Sequence, residues 1–168
     1  SKGYLITVKD CRLLPAESLV LDKPKLTLYP FQAADLDAAI TATRGVLKVP
    51  TGGGKTLLAA YIIHTLRTPT LYLVPNRLLL HQVHEDLVND FGPAYVGQVG
   101  EGVFDVKPVT VATAQTLWLR RNDQVVRGLL NGVGLLIIDE CHIVGARRVL
   151  SGRRGDSRTA NVWYEVAR

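Results

Sequence analysis

Two short stretches of the sequence hold side chains suited to catalysis. The first is Val49-Pro50-Thr51-Gly52-Gly53-Gly54-Lys55-Thr56. Glycine loses more conformational freedom on folding than any other residue, roughly 0.5–1 kcal/mol each relative to alanine, so three in a row call for a reason. Without a Cβ, the backbone N–H groups can turn inward and close on an anion, and a following helix presents its positive end to the same point. Lys55 is then placed to reach the β- and γ-phosphates of a nucleoside triphosphate, and Thr56 to offer a hydroxyl to Mg2+. The second stretch, Leu135-Leu136-Ile137-Ile138-Asp139-Glu140, is an apolar run ending in two carboxylates. At the carboxyl edge of a buried strand, Asp139 suits holding the metal through water, and Glu140 suits orienting and deprotonating an attacking water. Alone, each stretch has a plain structural reading, as a glycine turn or a capped strand end. Together they describe a site for a nucleoside triphosphate and Mg2+.

Both stretches need elements to hold them. Tyr29-Pro30-Phe31-Gln32 opens a helix, with Pro30 early enough that its missing N–H costs little. Phe31, Ala34, Leu36 and Ala38-Ala39-Ile40 form its apolar face, and it fades near Arg44-Gly45. Gly45 to Val49 (GVLKV) reads as a short buried strand leading into the glycine loop. A helix follows from about Lys55 to Arg67, and Pro69 stops it before a strand at Thr70–Val74. Asn76 suits the N-cap of the next helix, in which Leu78, Leu79, Val83, Leu87 and Val88 recur at helical spacing as far as Phe91. Strands at Tyr95–Val99 and Val109–Ala112 come next, then helical material from Ala114 to about Asn131 in two pieces. The run Leu135–Ile138 is of the kind buried on both faces of a parallel sheet. Strand and helix in alternation predict an α/β fold, a mostly parallel sheet flanked by helices. Residues 1–26 read as a short N-terminal appendage, with Leu5–Val8 as a candidate strand, and residues 27–168 as the main domain.

The 168 residues suit one domain, and 47% hydrophobic with 21% charged residues is a globular composition. The net charge of +5 favours a polyanionic partner without establishing one. No apolar run approaches the ~20 residues that span a bilayer, and Ser1-Lys2-Gly3-Tyr4 is no signal peptide, so a cytoplasmic protein without a membrane partner is expected. Cys11 and Cys141 belong to no Cys-x-x-Cys spacing and read as thiols of a reducing compartment. His81, His84 and Glu85 match neither H-E-x-x-H nor H-x-x-E-H, and read as a wet helix face. Arg147-Arg148 and Arg153-Arg154 either grip phosphates or are simply solvated. Trp163 and Tyr164 read as helix packing rather than base stacking.

Asp139-Glu140-Cys141-His142 carries a family resemblance. From Leu28 to His142 the chain resembles the first RecA-like domain of superfamily 2 helicases and translocases with a D-E-x-H motif. The general pattern G-x-x-x-x-G-K-[ST] wants glycine where Val49 stands. In this family an alanine, leucine or similar residue commonly precedes P-T-G-x-G-K-T, so Val49 is ordinary. The resemblance implies a RecA-like P-loop NTPase whose Thr51, Gly52, Gly53, Gly54, Lys55 and Thr56 hold the nucleotide. Gln32, in Leu28-Tyr29-Pro30-Phe31-Gln32, is then the reader of the adenine edge, although Tyr29 replaces the usual arginine and Phe31 the usual tyrosine. His142 would link the γ-phosphate side to a downstream motif and couple hydrolysis to movement.

Pro75-Asn76-Arg77-Leu78 through Gln82 resembles the strand-binding motif P-T-R-x-L-x-x-Q. Thr113 and Gln115, in Ala112-Thr113-Ala114-Gln115-Thr116-Leu117, resemble another, with Gly97–Gly102 as the glycine-containing segment between them. The wording of the second motif is closer to the DNA-directed branch than to the D-E-A-D RNA branch. What this implies is the ATP-binding motor lobe of a DNA helicase or translocase, with nucleic acid and a second RecA-like lobe as partners. An RNA helicase lobe and a nucleotide-gated clamp that does not unwind stay open as alternatives. A metabolite kinase would need an acceptor site and lid, for which no residues speak. In the family a Ser-Ala-Thr motif and an arginine-bearing second lobe follow. Arg168 ends the sequence before either, so the expectation is a first lobe of a longer protein, with negligible ATP turnover by itself.

Overall fold

The computed structural model describes residues 18–42, 44–50 and 52–141. The candidate strand Leu5–Val8, Thr51, His142, the arginines between 147 and 154, and Trp163-Tyr164 lie outside the described residues.

Helix α1 (Pro30–Ala42) begins on its proline, and α2 (Lys55–Leu66) begins on the lysine that ends the glycine loop. Strand β1 (Thr70–Val74) leads into α3 (Arg77–Phe91), which Asn76 caps by accepting from the Leu79 N–H at 3.0 Å. Strands β2 (Val96–Gly100) and β3 (Val103–Phe104) form a hairpin that the sequence pattern did not predict, since a two-residue strand carries no periodicity. Strand β4 (Val109–Thr113) is followed by α4 (Ala114–Leu119), α5 (Gln124–Gly132) and β5 (Leu135–Ile138), with Thr113 and Asp123 as the two helix caps.

The five strands form one sheet in the order β3-β2-β4-β1-β5. All pairs are parallel except β2 with β3. Side chains alternate across the sheet, as a period of two requires. Tyr72 and Val74 of β1, with Val109 and Val111 of β4, enter a core shared with Ala59, Ile63, Leu80, Val83 and Leu87 of α2 and α3. Leu71, Leu73 and Ala112 face the other way, into a core with Leu117 and Val126 of α4 and α5. Burying one such leucine fully is worth about 1.5–3 kcal/mol, so both helix layers are held to the sheet by their apolar stripes. Leu21 lies in the first of these cores with Leu19 packed beside it, and the Leu19 N–H donates to Arg67 O at 2.8 Å.

Three expectations need correction. The apolar face expected on α1 is not buried: Phe31 is 51% exposed, Ala34 and Ala38 are exposed, and the buried residue of this helix is Gln32. Gly45–Val49 is not a strand: residues 45–50 belong to no element, and Val46 is 77% exposed. Its composition suits a strand, but a strand exists only with a ladder partner, and among the described residues β5 pairs with β1 alone. For the same reason Leu135–Ile138 is not buried on both faces. As the end strand of the sheet it leaves Leu136 39% exposed.

Candidate functional site

The glycine loop is shaped by its own backbone. Gly52 and Gly54 both have φ of 75°, in the left-handed region where a side chain is disfavoured. Gly54 is followed by right-handed helical residues, and that change of hand turns successive amide N–H groups to one side. Gly54 is also the N-cap of α2 and offers no side chain to cap it. The first amides of the helix are therefore left for an anion to satisfy.

Behind the loop stands Gln32, 1% exposed. Its Oε1 accepts from the Tyr29 N–H and its Nε2 donates to Gly53 O, both at 2.8 Å. The amide is thus bonded to the phosphate loop from α1. Tyr29 and Phe31 flank it on the outside, their rings stacked 5.9 Å apart and both largely exposed.

The acidic stretch meets the loop. Strand β5 ends at Ile138, and the Asp139 N–H still donates to Leu73 O at 2.9 Å, which fixes the turn to the sheet. Asp139 Oδ1 accepts from the Glu140 N–H at 2.8 Å, and Glu140 takes a positive φ of 51°. A non-glycine residue held there costs of order 1–3 kcal/mol, a strain found most often at functional sites. The turn carries the Glu140 carboxylate to Lys55, with Oε1 2.7 Å from Nζ. That hydrogen bond, assisted by the charges of Glu140 and Asp139, raises the Lys55 pKa above its ordinary value, against the opposing pull of burial. The ammonium therefore stays charged across the physiological range.

Thr56 and Asp139 are the neighbours of this ion pair, one in the first turn of α2 and one at the end of β5. Among the described residues no cluster of three or more histidine, cysteine, aspartate or glutamate side chains could hold a metal by itself. A hydroxyl and one carboxylate fit Mg2+, which commonly binds one or two protein oxygens and completes its shell with water and substrate phosphates.

The predicted strand-contact residues gather at the same carboxyl edge of the sheet. Pro75, Asn76 and Arg77 follow β1, Gln82 lies one turn further along α3, Thr113 ends β4, and Gln115 stands in the first turn of α4. Asn76, Arg77, Gln82 and Gln115 are exposed. Two of these residues also have a local duty, expected from the sequence for Asn76 and not for Thr113. Asn76 caps α3, and Thr113 Oγ1 lies 2.8 Å from Thr116 Oγ1. The cavity of about 400 Å³ lined by Pro69, Val106, Lys107, Leu129 and Val133 lies at the opposite, amino edge and includes none of the predicted site residues.

Loop, lysine and paired carboxylates on a parallel sheet define a RecA-like phosphate-loop domain. Residues 25–163 match the family described as "Type III restriction enzyme, res subunit", and the chain belongs to that family. It is 35% identical over 147 residues to "Putative DNA 3'-5' helicase Rad25" of Halobacterium salinarum, covering 86% of this chain and 24% of that protein. It is likewise 35% identical over 124 residues to "DNA 3'-5' translocase XPB2" of Sulfurisphaera tokodaii, covering 73% of this chain and 26% of the other. A solved structure described as a hypothetical ATP-dependent RNA helicase from Sulfolobus tokodaii has a TM-score of 0.48 and 21% identity, covering 67% of this chain and 42% of that one. The chain thus spans about a quarter of the length of the curated relatives it matches. The superfamily 2 assignment made on the motifs agrees with this family membership.

Proposed function

We propose that this chain is the ATP-binding lobe of an ATP-dependent DNA helicase or translocase. The observation that carries the reading is the 2.7 Å contact between Lys55 and Glu140, which joins the phosphate loop to the acidic strand end. When ATP enters, its phosphates take the uncapped amides of α2 and the Lys55 ammonium, and Glu140 is released to orient and deprotonate water. Thr56 and, through water, Asp139 would hold Mg2+, which would neutralise charge on the phosphates. Gln32 holds the loop from behind through its bond to Gly53 O.

Nucleic acid lies along Pro75–Arg77, Gln82, Thr113 and Gln115. DNA is favoured over RNA because the relatives at 35% identity carry DNA in their names. A second RecA-like lobe supplies the arginines that complete the ATP site, so hydrolysis belongs to the pair of lobes. No helix among the described residues is long and apolar enough to cross a membrane. ATP turnover by the two-lobe protein, compared across single-stranded DNA, duplex DNA and RNA, tests the reading. Strong stimulation by a DNA form supports it, stimulation by RNA alone moves the lobe to the RNA branch, and indifference to every polymer leaves a different NTPase.

A further inference from the structure

The sheet order sets the strand-contact residues in a row. Moving outward from β5 and its carboxylates, the carboxyl ends met are β1 with Pro75–Arg77, β4 with Thr113 and β2 with Gly100, and then the edge strand β3. Adjacent strands lie ~4.8 Å apart, so the row runs ~14 Å from β1 to β3. Its outer end carries groups that none of the motifs includes. Arg120 Cζ stands 4.6 Å from the ring centroid of Phe104, on β3. Arg121 Cζ stands 4.3 Å from the ring centroid of Trp118, and its Nη1 donates to Trp118 O at 2.9 Å.

Both arginines are exposed, while the two rings are half-buried against the core beneath α4 and α5. Among the described residues neither arginine is in an ion pair. The next carboxylate along the chain, Asp123, is occupied in capping α5, accepting from the Val125 N–H at 2.9 Å. Cation–π pairs occur about once per 70–80 residues, and here two stand side by side. A guanidinium braced on a ring has less freedom to lose when it grips, and its planar fork matches a phosphate.

We infer that Arg120 and Arg121, braced on Phe104 and Trp118, form a further contact for single-stranded DNA, where a strand lying along Arg77 and Thr113 leaves over the β3 edge. This rests on the nucleic-acid reading of the lobe. The two guanidinium groups hold successive phosphates, and their outer faces offer a stacking surface to a base.

Binding of a labelled oligo-dT strand to the full chain, followed by fluorescence anisotropy against salt, tests it. Each phosphate contact on a single strand contributes a slope of ~0.7 in log K against log salt, or ~fivefold in affinity at ~0.1 M. The double variant Arg120→Ala/Arg121→Ala should therefore bind ~25-fold more weakly at ~0.1 M salt, with the slope shallower by ~1.4. The double lysine variant, which keeps both charges, should restore the slope, and Arg127→Ala, an exposed arginine of α5, should change neither. Unchanged binding in the double alanine variant, where Arg77→Ala does weaken it, overturns the inference and leaves the lobe's proposed function standing. An equal loss from Arg127→Ala also overturns it, since any surface charge would then do. No DNA binding by the unaltered chain refutes both.

Discussion

Gly54→Ala adds one methyl group to the phosphate loop, and its cost can be built from two parts. Gly54 has φ of 75°, where a side chain is disfavoured by about 1–2 kcal/mol. The new methyl also runs into Gln32 Nε2. That amide is buried and tied at 2.8 Å to both Tyr29 N and Gly53 O, so it cannot retreat without breaking a bond. Leaving a buried amide unpaired costs about 1–3 kcal/mol. The sum is about 2–5 kcal/mol, and at about 2–4 °C per kcal/mol for a domain of this size the midpoint falls by at least ~4 °C. Gly52→Ala is the internal control, because Gly52 has the same φ of 75° but nothing within 4 Å of an added Cβ. It should lose only the first part, about 1–2 kcal/mol. Urea unfolding of both variants, alone and combined with Gln32→Ala, separates the two. The gap between Gly54→Ala and Gly52→Ala should be about 1–3 kcal/mol and should close once Gln32 is removed. Equal losses in the two single variants, or a gap that survives Gln32→Ala, would refute the Gln32 strut.

Asn76→Ala removes the cap that accepts from Leu79 N–H and should cost about 1 kcal/mol in chemical unfolding, with no DNA present. Asn76→Asp, which keeps a capping oxygen, should hold the stability while weakening DNA binding, and the two roles are thereby separated. His84 has its pKa lowered, first by burial and then by the charge of Lys107. The folded state thus resists its protonation, so stability is full above the ordinary value of 6.5 and declines as pH falls through and below it. Thermal melts across that range should show a decline that His84→Gln flattens, and identical pH profiles would contradict it. Lys55→Ala should change stability by less than ~1 kcal/mol, because its ion pair with Glu140 is about one-third exposed and screened by water.

The sequence carried the site further than it carried the frame around it. Glycines, lysine and paired carboxylates are legible because their chemistry dictates residue type, and they converge as the motif pairing implies: Lys55 meets Glu140 across 85 positions of chain. The helix spans were legible, with α3 ending on Phe91 as its pattern predicts, but periodicity misplaced the face of α1, which buries Gln32 and leaves Phe31 51% exposed. Gly45–Val49 misled because strand composition says nothing about whether a ladder partner is present. Strand β3 left no signal at two residues in length. The duty of Gln32 was half visible. Its place in a motif marked it as important, but the bond to Gly53 depends on how α1 packs against α2, a contact between residues 21 apart that no local pattern encodes. The positive φ of Glu140 was likewise hidden, since it arises from the Asp139 carboxylate catching the next N–H rather than from any turn residue.

The proposed function requires that the glycine loop and the carboxylates after β5 form one ATP site. Binding of a fluorescent ATP analogue with Mg2+, compared between the unaltered chain, Lys55→Ala and Glu140→Gln, tests it most directly. Lys55→Ala should abolish binding, because the phosphates lose the Lys55 ammonium at the start of α2. Glu140→Gln should bind as well or better, because the lysine loses its ion pair before the phosphates arrive. Binding unaffected by Lys55→Ala, or lost equally in Glu140→Gln, would contradict it.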